Sequence, residues 1–215
     1  MKTFSWEKYW KNRKPNDPHD DWNTNKKWID GYWESQNHPH RKELIDAIQE
    51  MRPFGSILEV GCSCAPNLAL IKKEFLNVEV AGIDINKYVI EEAKRKVPEG
   101  NFKVAKADKL PFPDKSFDIV FTDAVLMYVD DKKIVETIRE FLRVAKKALI
   151  FVEWHSYIGD GLGKEKIIKD YYQNIYVRNY KRLMELFGEN AEMSMIKNWP
   201  SENWQKYGEI IRVRL

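Results

Sequence analysis

The segment Ile57-Leu58-Glu59-Val60-Gly61-Cys62-Ser63-Cys64-Ala65-Pro66-Asn67-Leu68 constrains the fold more than any other stretch of the chain. An apolar run ends on an acid and a glycine, passes through small residues, and meets a proline suited to the first turn of a helix. A strand–turn–helix of this kind bends tightly at Gly61 and lets a ligand approach its backbone. The following helix start offers free N–H groups to that ligand. A dinucleotide loop wants glycine where Ser63 and Pro66 stand, and a P-loop wants Gly-Lys-Ser/Thr, so neither pyrophosphate motif fits.

Downstream, short β-rich runs alternate with helical patterns, the signature of a parallel α/β sheet. Strands are expected at 56–60, 78–84, 102–106, 117–121 and 148–152, and helices at 66–75, 87–96, 132–144 and 166–187, the last either continuous or broken near Asn179. Runs at 192–196 and 209–213 suit a closing hairpin at the sheet edge. The expected fold class is therefore α/β and Rossmann-like. Its seven-stranded sheet is mostly parallel, with an antiparallel edge strand and helices on both faces.

The first 50 residues read differently. Trp6, Tyr9, Trp10, Trp22, Trp28, Tyr32 and Trp33 stand among polar residues without clean periodicity, ahead of a helical pattern at 39–51. This suggests an aromatic-rich cap over residues 1–50, packed on the core or on a ligand, with the main domain at 51–215.

A length of 215 residues suits one domain with such an addition, large enough to bury a core without disulfides. Cys62 and Cys64 read as free thiols, and two cysteines this close with no partner pair make no zinc site. The 36 basic and 33 acidic side chains are interspersed, without the basic stripe of a dedicated nucleic-acid binder. No stretch approaches the roughly 20 apolar residues that span a bilayer. Met1 to Lys8 carry no apolar signal core, so a cytoplasmic, non-membrane protein is expected.

Two acids complete a nucleoside-site pattern. Asp84 closes the second strand, 23 residues after Gly61, where it can accept from both ribose hydroxyls. Asp108 follows the third strand and can accept from an adenine amino group, with Leu110 against the ring. With these residues in order, the chain resembles the class I S-adenosylmethionine-dependent methyltransferases of the type 11-like kind, over roughly residues 40 to 215. Glu59 and Gly61 match the family's E-x-G-x-G-x-G strand end, while Ser63 and Ala65 stand at its later glycines. The phrase Leu110-Pro111-Phe112-Pro113-Asp114-Lys115-Ser116-Phe117-Asp118-Ile119-Val120 looks like the family's link into the fourth strand. Thr122 to Val129 resemble its loop beside cofactor and substrate. The resemblance implies S-adenosyl-L-methionine as cofactor, held by Glu59, Gly61, Ser63, Ala65, Asn67, Asp84, Ile85, Asp108, Lys109, Leu110 and Asp123.

Methyl transfer from a sulfonium needs an aligned acceptor and, for a hydroxyl, removal of a proton. His155, after the fifth strand, is the leading general-base candidate; the alternative is a structural or solvent-facing histidine. Asp123 and Tyr128 are candidates for orienting the substrate. His38, His40 and Arg41 read first as a solvated helix start, with Arg41 as a second choice for the methionine carboxylate. Trp199, Trp204 and Tyr207 are either core filler or a substrate wall. The missing Asp/Asn-Pro-Pro-aromatic signature lowers the case for a base-amine acceptor, so a small-molecule or glycan O-methyltransferase is expected. The alternatives are a non-catalytic cofactor-binding partner subunit and an RNA or protein methyltransferase.

Overall fold

A computed structural model describes residues 4–17, 27–161, 166–168 and 175–215. The N-terminal part holds three helices, α1 (Trp6–Asn12), α2 (Trp28–Glu34) and α3 (His40–Gln49). Trp22 lies outside the described residues. The chain then alternates through β1 (Ser56–Val60), α4 (Pro66–Glu74), β2 (Glu79–Asp84), α5 (Lys87–Lys96), β3 (Asn101–Val104), β4 (Phe117–Asp123), α6 (Asp131–Val144) and β5 (Ala145–Trp154). A two-stranded ribbon, β6 (Lys166–Ile168) and β7 (Ile175–Val177), precedes α7 (Tyr180–Glu185), β8 (Ala191–Met195), α8 (Glu202–Tyr207) and β9 (Gly208–Arg214).

Seven strands form one sheet in the order β3-β2-β1-β4-β5-β9-β8, and β1 to β5 are parallel to one another. β9 is antiparallel to both neighbours, so the reversed strand lies one place in from the edge. Every residue of β1 is buried, as a central strand covered on both faces requires. Neighbouring residues serve opposite layers. Ile57, Ile119 and Ile150 pack with Leu44, Ile48, Leu68 and Ile71 of α3 and α4. Leu58, Val120 and Phe151 pack with Ile134, Ile138 and Phe141 of α6. The result is a three-layer α/β/α domain.

Local chemistry explains the helix boundaries. Pro66 opens α4, and the Asn86 and Asp130 side chains cap α5 and α6 by accepting from Tyr88 N and Lys132 N. Basic residues close α5, on the side the helix dipole favours. The expected helix at 166–187 is not formed. That stretch holds the β6–β7 ribbon and the six-residue α7, while 169–174 lie outside the described residues. Cys62 and Cys64 are both free and buried. Among the described residues no helix is long and apolar enough to cross a membrane.

Candidate functional site

The strand order reverses at β1, which pairs with β2 on one side and β4 on the other. Crossovers leave such a point in opposite directions, and a crevice opens at the carboxyl ends of the strands. A cavity of about 510 Å³ lies there, within the roughly 300–1,000 Å³ typical of small-molecule sites. Gly61, Ser63, Asp84, Ile85, Asp108, Asp123 and Tyr128 all line it. Glu59, Ala65 and Asn67 stand behind its wall, and Lys109 is exposed beside it. Leu110 is buried in the α6-side core, and its N–H donates to Glu140, so it is not free to cover a ring in the cavity.

The floor is a loop in the left-handed region. Gly61 has φ 78°, and a Cβ there would stand 2.4 Å from Cγ2 of Val125, so only glycine fits. Ser63 and Ala65, at the later glycine positions, keep left-handed φ values of 48° and 65°. Ala124, at the end of β4, has φ 57°. Each non-glycine residue of this kind costs roughly 1–2 kcal/mol. Gly61 and Cys62 N–H groups donate to Ile83 O at 2.8 and 2.9 Å, and Ser63 N donates to Asp84 Oδ2 at 3.1 Å, which fixes the loop against β2.

Behind the floor runs a buried polar network. Asn67 Nδ2 donates to Glu59 Oε1 at 2.7 Å and Asp123 Oδ2 at 3.0 Å, and its Oδ1 accepts from Arg41. His40 Nε2 lies 3.0 Å from the same Asp123 oxygen, and Arg41 also donates to Ser35 O and Oγ. Far from being solvated, His40 and Arg41 are buried beside Asp123. Burial alone would raise the Asp123 carboxyl, but His40, Arg41 and Asn67 outweigh it and hold the group well below the usual carboxylate range. Glu59 has no cation directly on it, and burial pushes it well above that range. Burial, with His40 and Arg41 nearby, lowers His38 to about 4. Among the described residues Glu59 Oε2, Asp123 Oδ1 and Ser63 Oγ have no hydrogen-bond partner, so this corner holds acceptors suited to a ligand's ammonium group.

At the opposite end Asp84 accepts from Asn86 N at 2.8 Å and from Ser63 N, and burial raises its carboxyl to about 6. Helix α1 roofs the cavity between these points. Asn86 Nδ2 holds the carbonyls of Trp10 and Arg13, both at 2.8 Å. Glu7 bridges Lys106 (2.7 Å) and Lys133 (2.6 Å), and Lys133 also meets Asp108 at 3.0 Å. Hydrogen bonds from the two lysines bring Glu7 down to about 2. The Trp6 and Trp10 rings lie 4.7 and 5.4 Å from Tyr128, forming an aromatic wall.

His155 is not part of this cavity. It is buried, its Nδ1 accepts from Tyr180 N, its ring meets Tyr157 edge-on, and burial lowers it to about 4. The physical reason is pairing. β5 continues to Trp154 opposite Gly208 of β9, which carries His155 past the strand end and beside Arg178. Trp199 and Trp204 also lie off the cavity: Trp199 stacks on His40 at 3.9 Å and on Trp204 at 3.7 Å. Sequence reasoning missed Glu7, Asn86, Lys106, Lys133, Glu153 and Arg178. Only Asn86, an asparagine before a helix, carried a local signal.

A sheet with one reversed strand, a cleft at the switch point, and acids at the ends of β2 and β4 and just after β3 together define the class I S-adenosylmethionine-dependent methyltransferase architecture. Residues 57–148 match the family model described as a methyltransferase domain. That match spans a little under half of the chain, and the cofactor of such domains is S-adenosylmethionine. The chain is 29% identical over 107 residues to demethylmenaquinone methyltransferase of Thermotoga maritima, across 50% of this chain and 45% of that protein. The match therefore spans about half the length of that relative. In fold it is similar to a chain of the Haloferax volcanii complex formed with the Trm112 methyltransferase activator (TM-score 0.68, 16% identity, 87% of this chain and 95% of that one). It is also similar to magnesium protoporphyrin IX methyltransferase of Synechocystis with bound S-adenosylmethionine (TM-score 0.63, 13% identity, 95% and 89%).

Proposed function

We propose that the chain transfers the methyl group of S-adenosylmethionine to an oxygen of a small-molecule or glycan acceptor, with residues 1–50 as a cap. The observation that carries this reading is the set of three carboxylates, Asp84, Asp108 and Asp123, spaced along one cavity beside the Gly61 loop. Asp84 would take the ribose hydroxyls and Asp108 the adenine amino group. Asp123 Oδ1, which has no partner among the described residues, would take the methionine ammonium with Glu59 behind it. When bound, the cofactor supplies an electrophilic methyl on a sulfonium.

The protein's own contribution is alignment and exclusion of water. Trp6, Trp10 and Tyr128 form a wall suited to a flat acceptor and a cationic sulfur. Among the described residues no histidine lines the cavity, and Asp123 is held too acidic to serve as a strong base. This favours an acceptor whose own hydroxyl is acidic, such as a phenol or carboxylic acid, over an alcohol that needs deprotonation. Calorimetry with S-adenosylmethionine and S-adenosylhomocysteine, followed by turnover on phenols, carboxylic acids and sugars, tests the reading. No binding of either cofactor form by a folded preparation would sink it, and turnover of sugars alone would overturn the preference for an acidic hydroxyl.

A further inference from the structure

The turn between β4 and α6 is gripped from two sides by buried charged side chains that the cofactor reading does not use. Glu153, near the end of β5, accepts with Oε1 from Thr122 Oγ1 (2.9 Å), Val125 N (2.8 Å) and Leu126 N (2.8 Å). Its Oε2 accepts from Met127 N at 3.1 Å. Arg178, just after β7, donates to Leu126 O (2.7 Å), Val129 O (2.5 Å) and Asp131 Oδ1 (3.0 Å). Its guanidinium also lies 4.4 Å from the centre of the Tyr176 ring. One side chain thus takes three N–H groups of the turn, and the other takes two of its carbonyls.

Both side chains are fully buried. Burying charge is costly unless hydrogen bonds replace the lost water, and here they do so by fixing one short turn. Neither Glu153 nor Arg178 lines the cavity, but Val125, Tyr128, Val129 and Tyr176 all do. The turn also sets the contact that makes glycine obligatory at Gly61, since Val125 is the residue a Cβ there would strike.

We propose that Glu153 and Arg178 are positioning residues of the cofactor site, holding the Val125–Val129 turn so that Val125 and Tyr128 form a fixed wall. They act on ligand affinity through the turn and do not touch the ligand. The choice of ligand rests on the methyltransferase reading; the grip on the turn does not.

Glu153→Gln keeps the side chain's size but turns an amide N–H₂ towards Met127 N–H. Deuterium exchange at the Val125, Leu126 and Met127 amides should accelerate about tenfold, because their opening becomes easier. S-adenosylhomocysteine affinity by calorimetry should fall about tenfold, with the circular dichroism spectrum unchanged. A double-mutant cycle with Tyr128→Ala separates positioning from general loosening. If Glu153 acts through the turn, its effect on affinity should shrink to less than about half in the Tyr128→Ala background, whereas additive losses would overturn the proposal. Unchanged exchange at the three amides would overturn it too. Thr122→Val, which removes one of the four bonds, gives the same readouts in smaller measure should Glu153→Gln fail to fold. Failure of the wild-type protein to bind S-adenosylhomocysteine would sink the cofactor reading alone, and amide exchange would still decide the grip on the turn.

Discussion

Ser63 and Ala65 show how single residues bend to a site. Both adopt backbone conformations that favour glycine, and both sit beneath the cavity where backbone strain often gathers. Ala65→Gly removes roughly 1–2 kcal/mol of strain and adds roughly 0.5–1 kcal/mol of unfolded-state freedom. Loss of its buried methyl costs about 0.8 kcal/mol, so chemical denaturation should show a net change of less than about 1 kcal/mol in either direction. Asp84 belongs to the same scale. In the proposed site its ionised form accepts the ribose hydroxyls, so cofactor binding would favour loss of its proton. Affinity should be complete above pH about 6 and fall as pH drops through that value, by up to about tenfold per unit. Calorimetry across pH should show this in the wild type, and Asp84→Asn should flatten it. Asp84→Ala should weaken binding by about 1.5–3 kcal/mol, the worth of hydrogen bonds to a charged group; unchanged affinity would mean the ribose lies elsewhere.

Among the elements, α1 has a mixed attachment: Trp6 is buried in the core with Tyr9 and Trp10 against it, while ion pairs and two backbone carbonyls hold its polar side. Glu7 is about one-third exposed, so each of its pairs contributes at most about 1 kcal/mol. Glu7→Gln should speed release of S-adenosylhomocysteine in stopped-flow tryptophan fluorescence, and raising salt should mimic it in the wild type. Equal release rates would show that the ion pairs do not hold the roof. The helix was legible only in part: Trp6, Tyr9 and Trp10 recur at helical spacing behind the capping Ser5, but two turns are too short to stand out among the other aromatics. By contrast, α6 was legible because Ile134, Ile138 and Phe141 recur at helical spacing behind a capping aspartate. β1 and β4 were legible as continuous apolar runs. His155 misled because a strand's end is set by its partner: β9 lengthens β5 beyond the apolar run, and no local pattern records that.

For the whole molecule, ligand binding and stability are one equilibrium. S-adenosylhomocysteine at about 100 times its dissociation constant should add about 2.7 kcal/mol, which for a chain of this size raises the melting temperature by about 5–11 °C. Scanning calorimetry measures this directly, and a shift near zero would argue against a folded-state site. That Asp84, Asp108 and Asp123 line one cavity was legible because they lie at or just past strand ends in chain order. The network of His40, Arg41, Asn67, Glu59 and Asp123 was not, because it joins α3 to β4 across more than 80 positions of sequence.

The roof of the cavity carries a kinetic consequence. Asn86 both holds α1 and donates its N–H to Asp84, while Lys133 both holds α1 and meets Asp108. Loosening the roof and loosening the grip on an adenosine ligand are then a single event, with a single barrier. An enzyme built this way should bind its cofactor first and release the spent cofactor last. If that last step is slowest, good and poor acceptors should differ in kcat/KM while approaching the same ceiling in kcat.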